Sequence, residues 1–372
     1  ITARICGICP VAYIMSASAA VERAWGLAPG SEIAALRRLI YCGEWIQSHV
    51  LHAAMLHAPD FLGLADGIEM ARAHPDLVRR ALRLKKLGNA VMEVVGGRAV
   101  HPVNTRVGGF YRAPEPEAVA ALIPELDWGI GAARDIALEF ARFDFPEDEG
   151  DYRFVSLTHP ELYPIEQGRI ATGDGGEIDV AEFRTRFREE QVARSTALHG
   201  RRADGAPYLV GPLARYANNF ERLGGDCRDT ARAVGLGPVL TNPFRSILVR
   251  MIEVQHACEE ALRLARAYVP PPAPFVEGAF RAGTGHGCTE APRGICWHRY
   301  EIGDDGRILE ATIVPPTAQN QPQIEADLAR VAARHIDLDD EALGWRCEQT
   351  IRNHDPCISC AAHFLSLTVE RV

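Results

Sequence analysis

The stretch RICGICPVAY, Arg4 to Tyr13, stands near the start of the chain, and DPCISCAAH, Asp355 to His363, stands near its end. Each holds a Cys-x-x-Cys pair: Cys6 with Cys9, and Cys357 with Cys360. Two thiols three positions apart chelate one metal when the backbone turns, or cycle as a dithiol. Gly7 permits close backbone approach, and Pro10 suits the first turn of a helix. Cys9 and Cys357 are 348 positions apart. Four-thiolate zinc knuckles keep their pairs within about 15–20 residues. That spacing excludes a small knuckle but leaves open a zinc staple joining remote segments. On spacing alone a metal site leads, with zinc first. The two ends must meet in space if the pairs share anything.

The bulk properties narrow the classes. With 372 residues, 47% of them hydrophobic, the chain can bury a large core. Its net charge of −9 argues against a nucleic-acid partner, which needs a clustered positive face. Lysine occurs only at Lys85 and Lys86, with arginine spread along the whole length. No run of eighteen apolar residues offers a membrane span. Neither a signal peptide nor an initiator Met is visible, so an N-terminal part is expected upstream of Ile1. Ten cysteines without a secretion signal suit reduced thiols in a cytoplasmic setting rather than a disulfide framework.

Periodicity predicts helices over 11–25 and from an N-cap at Ser31 to about His57, ended by Pro59-Asp60. Further helices are predicted near 75–95, 116–142, 182–196, 243–268 and 322–334. Strands are expected at 168–180, around a Gly-Asp-Gly-Gly turn, and at 293–314, around Asp304-Asp305-Gly306. The Pro run at 268–275 reads as a rigid connection. The expectation is a mainly α fold with small β elements (α+β): one domain over 1–372, with β insertions near 150–182 and 293–316.

The cysteine flanks carry more than their spacing. RICGICP and DPCISCAAH resemble the large, catalytic subunit of nickel–iron hydrogenases. So do SHVLH (48–52) with PDFLG (59–63), GGRAVHPVNTRVGG (96–109), EAPRGICWH (290–298) and IVPPTAQN (313–320). The resemblance runs along the whole chain. It implies the helical bundle of that family and a nickel–iron centre with carbonyl and cyanide on iron. Cys6 and Cys357 would be terminal nickel ligands, and Cys9 and Cys360 would bridge the two metals. Soft thiolates suit a redox-active nickel. Many members have His four positions after the second cysteine, where this chain has Tyr13. In that respect it looks like the sulfhydrogenase branch, linked to soluble pyridine nucleotides.

The resemblance extends to the surroundings of the centre. Arg293 matches an arginine facing the iron-bound cyanide and the open coordination position, where a guanidinium donates to an anionic ligand. Asp355 and Asp60 resemble carboxylates that pair with it; either could equally be a helix-start device. Pro292 and Thr317 look like walls of the diatomic-ligand pocket, although Pro-Pro-Thr is also an ordinary strand exit. His363 matches a magnesium ligand. Relatives lose a tail such as Phe364–Val372 by proteolysis, so a maturation protease and nickel-insertion factors are expected. His49, His52 and His101 read as structural or proton-relay residues. Cys42, Cys227, Cys258, Cys288, Cys296 and Cys347 read as small buried residues, and His286 with Cys288 is too few ligands for a site.

The implied reaction is reversible oxidation of dihydrogen, with Cys357 taking the proton and Arg293 assisting. The family's proton-gate glutamate would lie upstream of the first cysteine pair. Nothing else in the chain resembles an iron–sulfur ligand set, and GTGHG (283–287) lacks the dinucleotide fingerprint. Electrons would therefore leave through a small subunit with iron–sulfur clusters, then through diaphorase subunits with flavin to NAD(P). Polysulfide is a possible further acceptor. Two other readings stay on the page: a zinc-stapled helical scaffold, and the quinone-site relative in respiratory complex I, which lacks the metal cysteines.

Overall fold

Pro10 opens the first long helix, α1 (Pro10–Trp25), with Cys9 as its N-cap and Gly26 in the left-handed conformation as its C-cap. The computed structural model describes residues 1–356. The second helix, α2 (Ser31–Val50), is buried at every position from Leu36 onward. A helix buried on every face belongs at the centre of a bundle. It packs against Pro75–Gly96 and Ser246–Arg266, and Ser246–Arg266 packs in turn on Ile123–Phe140. Contact between α2 and its first neighbour is backbone-close. A Cβ at Gly88 would lie 2.6 Å from both Gly43 O and Gln47 N.

A three-stranded antiparallel sheet covers one side, with Gly294–Ile302 between Gly283–Ala291 and Ile308–Val314. Its edge explains GTGHG. A Cβ at Gly285 would lie 1.8 Å from Ala20 O, and one at Gly287 2.0 Å from Ser16 O. Alternate glycines on one face of the strand let α1 lie directly on it. Under the sheet, Phe183, Phe187, Tyr208 and Trp297 form a second, smaller core with Val155, Leu157 and Ile170.

The mainly helical class with small sheets is as expected, but several elements differ. Ser31 is the first helical residue rather than the cap; Gly30 is the N-cap. The helix does not stop at Pro59-Asp60. It passes into a π-helical stretch, Leu51–His57, and a short helix, Ala58–Leu62, in which Pro59 sits in the first turn where its missing N–H costs nothing. The helix predicted at 182–196 is one turn, Phe183–Arg186, followed by a hairpin of Phe187–Gln191 with Leu198–Arg202. The Phe183 and Phe187 rings serve the small core, against Trp297 at 4.7 Å and Tyr208 at 4.8 Å respectively. The helix expected from 322 begins at Pro316 and carries Pro322 inside it. Asp340–Asn353, capped by the Asp339 side chain, was not anticipated.

Candidate metal centre

The first cysteine pair sits on a tight turn before α1. Cys6 Sγ and Cys9 Sγ are 3.3 Å apart, too far for a disulfide and close enough to share an ion at bond lengths near 2.3 Å. The backbone N–H groups of Ile8 and Cys9 point at Cys6 Sγ from 3.3 and 3.4 Å, which places partial positive charge beside that sulfur. The donor set and its spacing therefore fit a thiophilic metal.

This turn is anchored to α2. The Glu44 carboxylate accepts the N–H groups of Val11 (2.6 Å) and Ala12 (3.1 Å), and Gln47 Nε2 donates to Ile8 O (2.7 Å). Burial pushes Glu44 up to about 8, against the pull of those two N–H groups and of Arg293. On the far side of the turn, His101 Nδ1 lies 2.5 Å from Ala3 O.

The second anchor on α2 reaches the other end of the chain. Ser48, one residue beyond Gln47, lies 3.4 Å from Arg293 Nη1, and Arg293 is itself held to Asp355. Its Nη2 is 3.0 Å from Asp355 Oδ1 and its Nε donates to Asp355 O at 2.7 Å. The four residues before Pro356 are clamped by buried donors. His52 Nε2 is 2.8 Å from Arg352 O, while Ser246 Oγ and Arg250 Nη2 both donate to Asn353 O. His57 Nε2 is 3.0 Å from Asn353 Oδ1. Asp355 takes a positive φ of 48°, a conformation aspartate tolerates better than most residues. Burial keeps His49, His52 and His57 below the ordinary histidine range, so they are neutral at pH 7.

Arg293 lies at the tip of a β-hairpin, in the two-residue connection Pro292-Arg293 between Gly283–Ala291 and Gly294–Ile302. Arg215 fixes that tip. Its Nη1 donates to Ala291 O and its Nη2 to Pro292 O, each at 2.8 Å, while the same guanidinium binds Glu253 and Glu290. One guanidinium between two buried carboxylates divides them. Burial raises both, but the bidentate pairing with Arg215 and the hydrogen bond from His49 hold Glu253 at about 2, while Glu290, with a single Arg215 contact, rises to about 7. Gly211, at φ 107°, brings the start of the Arg215 helix against the hairpin; a Cβ there would lie 2.7 Å from Arg293 O.

The family model described as "Nickel-dependent hydrogenase" matches residues 1–79. The alpha subunit of sulfhydrogenase 1 from Pyrococcus furiosus is 33% identical over 368 residues, spanning 98% of this chain and 86% of that one. The chain belongs to the nickel–iron hydrogenase large-subunit family. The alpha subunit of sulfhydrogenase 2 from the same organism is 31% identical over 371 residues, again 98% and 86% of the two chains. Among solved structures, an NAD+-reducing [NiFe]-hydrogenase in the H2-reduced state shares the fold at a TM-score of 0.85, with 23% identity, 97% of this chain and 87% of that chain. The Ni-Fe-Se hydrogenase from Desulfomicrobium baculatum follows at 0.72, with 18% identity, 97% and 88%.

Within this hydrogenase fold, the residues singled out from the sequence divide clearly. Arg293, Pro292 and Asp355 are buried and brought together. Thr317 is half-buried in the first turn of Pro316–Arg334. Asp60 is a correction: its carboxylate pairs with Arg352 Nε at 2.6 Å, not with Arg293. The polar partner that α2 gives Arg293 is Ser48. Burial raises Asp60 to about 6, with Arg352 pulling the other way. Cys357, Cys360, His363 and the 364–372 tail lie outside the described residues. Glu44, Gln47, Ser48, Arg215 and Arg250 were missed. A signal existed for the first three: polar residues at i, i+3 and i+4 among the apolar residues that follow Arg38 in that helix.

Proposed function

We propose that this chain is the catalytic subunit of a reversible nickel–iron hydrogenase, with residues 1–372 acting as one domain. Cys6, Cys9, Cys357 and Cys360 would hold the nickel–iron centre, Cys6 and Cys357 on the nickel and Cys9 and Cys360 shared with the iron, as the family resemblance implies. The observation that carries this reading is the meeting of the two ends on α2: Gln47 grips the first cysteine turn and Ser48, one residue on, meets the Arg293–Asp355 pair just before Cys357. When bound, the centre supplies the place where dihydrogen is split heterolytically. The chain's own residues do the rest. Cys357 Sγ accepts the proton. Arg293, its guanidinium oriented by Asp355 and Ser48, would present a buried cation and hydrogen-bond donors to the anionic side of the centre. The same arrangement excludes water, since Arg293 and Asp355 are almost wholly buried. Pro292 and Thr317 would wall the pocket for the diatomic ligands, and His363 would hold a magnesium ion.

Electrons pass to a small iron–sulfur subunit and, through flavin-bearing diaphorase subunits, to NAD(P) in the cytoplasm, with sulfur reduction as a side activity. No helix among the described residues is long and apolar enough to cross a membrane. The likeness to an NAD+-reducing enzyme supports this electron path, as do the alpha-subunit relatives. Beside the Cys6 turn, Ile5, Val100, Val103 and Tyr111 are exposed, an apolar surface suited to a permanent partner. Infrared spectroscopy of the anaerobically purified, nickel-replete complex tests the assignment. Cyanide and carbonyl stretches are expected; a nickel-replete sample without them overturns it.

A further inference from the structure

Away from this centre, three potential metal ligands of different kinds converge where two helices pack. Cys227 lies on Gly225–Ala233, and His256 and Glu259 lie three positions apart on Ser246–Arg266, so they share a helix face. One ligand atom from each lies within 4.8 Å of the other two. Cys227 Sγ donates to Glu259 Oε2 at 3.3 Å, and Gln255 Nε2 holds the other carboxylate oxygen at 2.9 Å, the kind of outer hydrogen bond that orients a ligating carboxylate. His256 is buried, and its Nε2 has no hydrogen-bond partner. Burial keeps that imidazole neutral, down to about 4, so a ring lone pair is available at pH 7. Burial also holds the Cys227 thiol and the Glu259 carboxyl in their protonated forms more firmly than usual, Glu259 adding to the effect on Cys227. Glu259 also lines an open surface depression of about 410 Å³ with Ile130, Leu262 and Arg263, so the carboxylate side of the cluster borders solvent.

We propose that Cys227, His256 and Glu259 form a second metal site, for a zinc-class divalent cation, that ties the two helices together. Sulfur, nitrogen and carboxylate oxygen are the donors this ion takes, and a water completes four-coordination. A tetrahedral ion sets its ligands about 3.4–3.7 Å apart, so closure needs side-chain shifts of about 1 Å. Binding replaces the thiol hydrogen by the metal: the Cys227 S–H bond breaks, the thiolate binds, and the proton leaves to solvent. Glu259 binds as carboxylate, releasing any proton it holds.

Elemental analysis of the assembled, nickel-loaded enzyme, exposed to zinc and desalted, reads this out together with zinc-edge X-ray absorption. About one zinc per chain is expected, with a single sulfur near 2.3 Å and nitrogen or oxygen near 2.0–2.1 Å. Cys227→Ala and His256→Gln should each lose that zinc while nickel and iron stay unchanged. Zinc no higher than in Cys227→Ala, or zinc with four sulfurs or none, overturns the site. If Cys227→Ala does not fold, His256→Gln and the spectrum of the unsubstituted enzyme decide.

Discussion

Arg293 shows how much of a buried side chain's geometry lies outside itself. Its guanidinium contacts Asp355 and Ser48, but its backbone sits on a two-residue loop that would be free to shift without Arg215, whose donors bind the carbonyls of Ala291 and Pro292. Arg215 thus positions Arg293 rather than taking part in the chemistry. A misplacement of about 1 Å at a reacting centre can cost about 100-fold in rate. Arg215→Lys keeps the charge but loses the planar fork, and it should lower hydrogen turnover by about 10-fold or more in the parent enzyme. In an Arg293→Lys background the same change should cost less than about 2-fold, because the group being positioned is already altered. Equal losses in both backgrounds, measured as hydrogen uptake on protein of matched melting temperature, would show a merely structural role. Asp60 is the counter-example. Its motif looked like a partner for Arg293, but the π-helical stretch Leu51–His57 shifts the register after Val50, and its carboxylate meets Arg352 instead.

Among the elements, α2 carries the site. It gives Glu44 and Gln47 to one end of the chain and Ser48 to the other, so its position against its neighbours sets the distance between the two ends. The backbone contact of Gly43 with Gly88 fixes that position. Gly88→Ala would put a methyl group 2.6 Å from backbone atoms of α2. Overpacking of this kind costs roughly 1–3 kcal/mol, and here it also pushes Gln47 and Ser48 away from the centre. Melting temperature and turnover should fall together. Gly131, in the exposed face of Ile123–Phe140, has open space at its Cβ position. Gly131→Ala should therefore stabilise by about 0.4–1 kcal/mol with turnover unchanged. A Gly88→Ala enzyme as stable as the parent would remove the argument for backbone-close packing.

At the scale of the whole molecule, the proposed electron path calls for a partner surface. The exposed Val103 and Tyr111 lie in one segment with His101, whose ring reaches the Cys6 turn, so a partner seated there would cover the near side of the centre. Val103→Asp combined with Tyr111→Asp should leave the fold and melting temperature of this chain unchanged, since both side chains already face solvent. It should reduce co-purification of the small subunit at least several-fold, because a charge placed in an apolar interface stays uncompensated. Undiminished co-purification would place the interface elsewhere.

The sequence by itself determined the family and the class. Two thiol pairs with their flanking motifs need no coordinates to be read, and neither do strong apolar periods such as those at 11–25, 75–95 and 243–268, because residue identity and helical spacing are local properties. What only the tertiary structure decided is which buried polar groups meet. Ser48 rather than Asp60 faces Arg293, Arg215 binds the loop that carries it, and the glycines of GTGHG make room for α1. The hairpin at 187–202 was decided there too, by the aromatic core that claimed Phe183 and Phe187. Each of these pairings joins residues far apart along the chain, and their energy depends on distances that only the packed helices and sheet set.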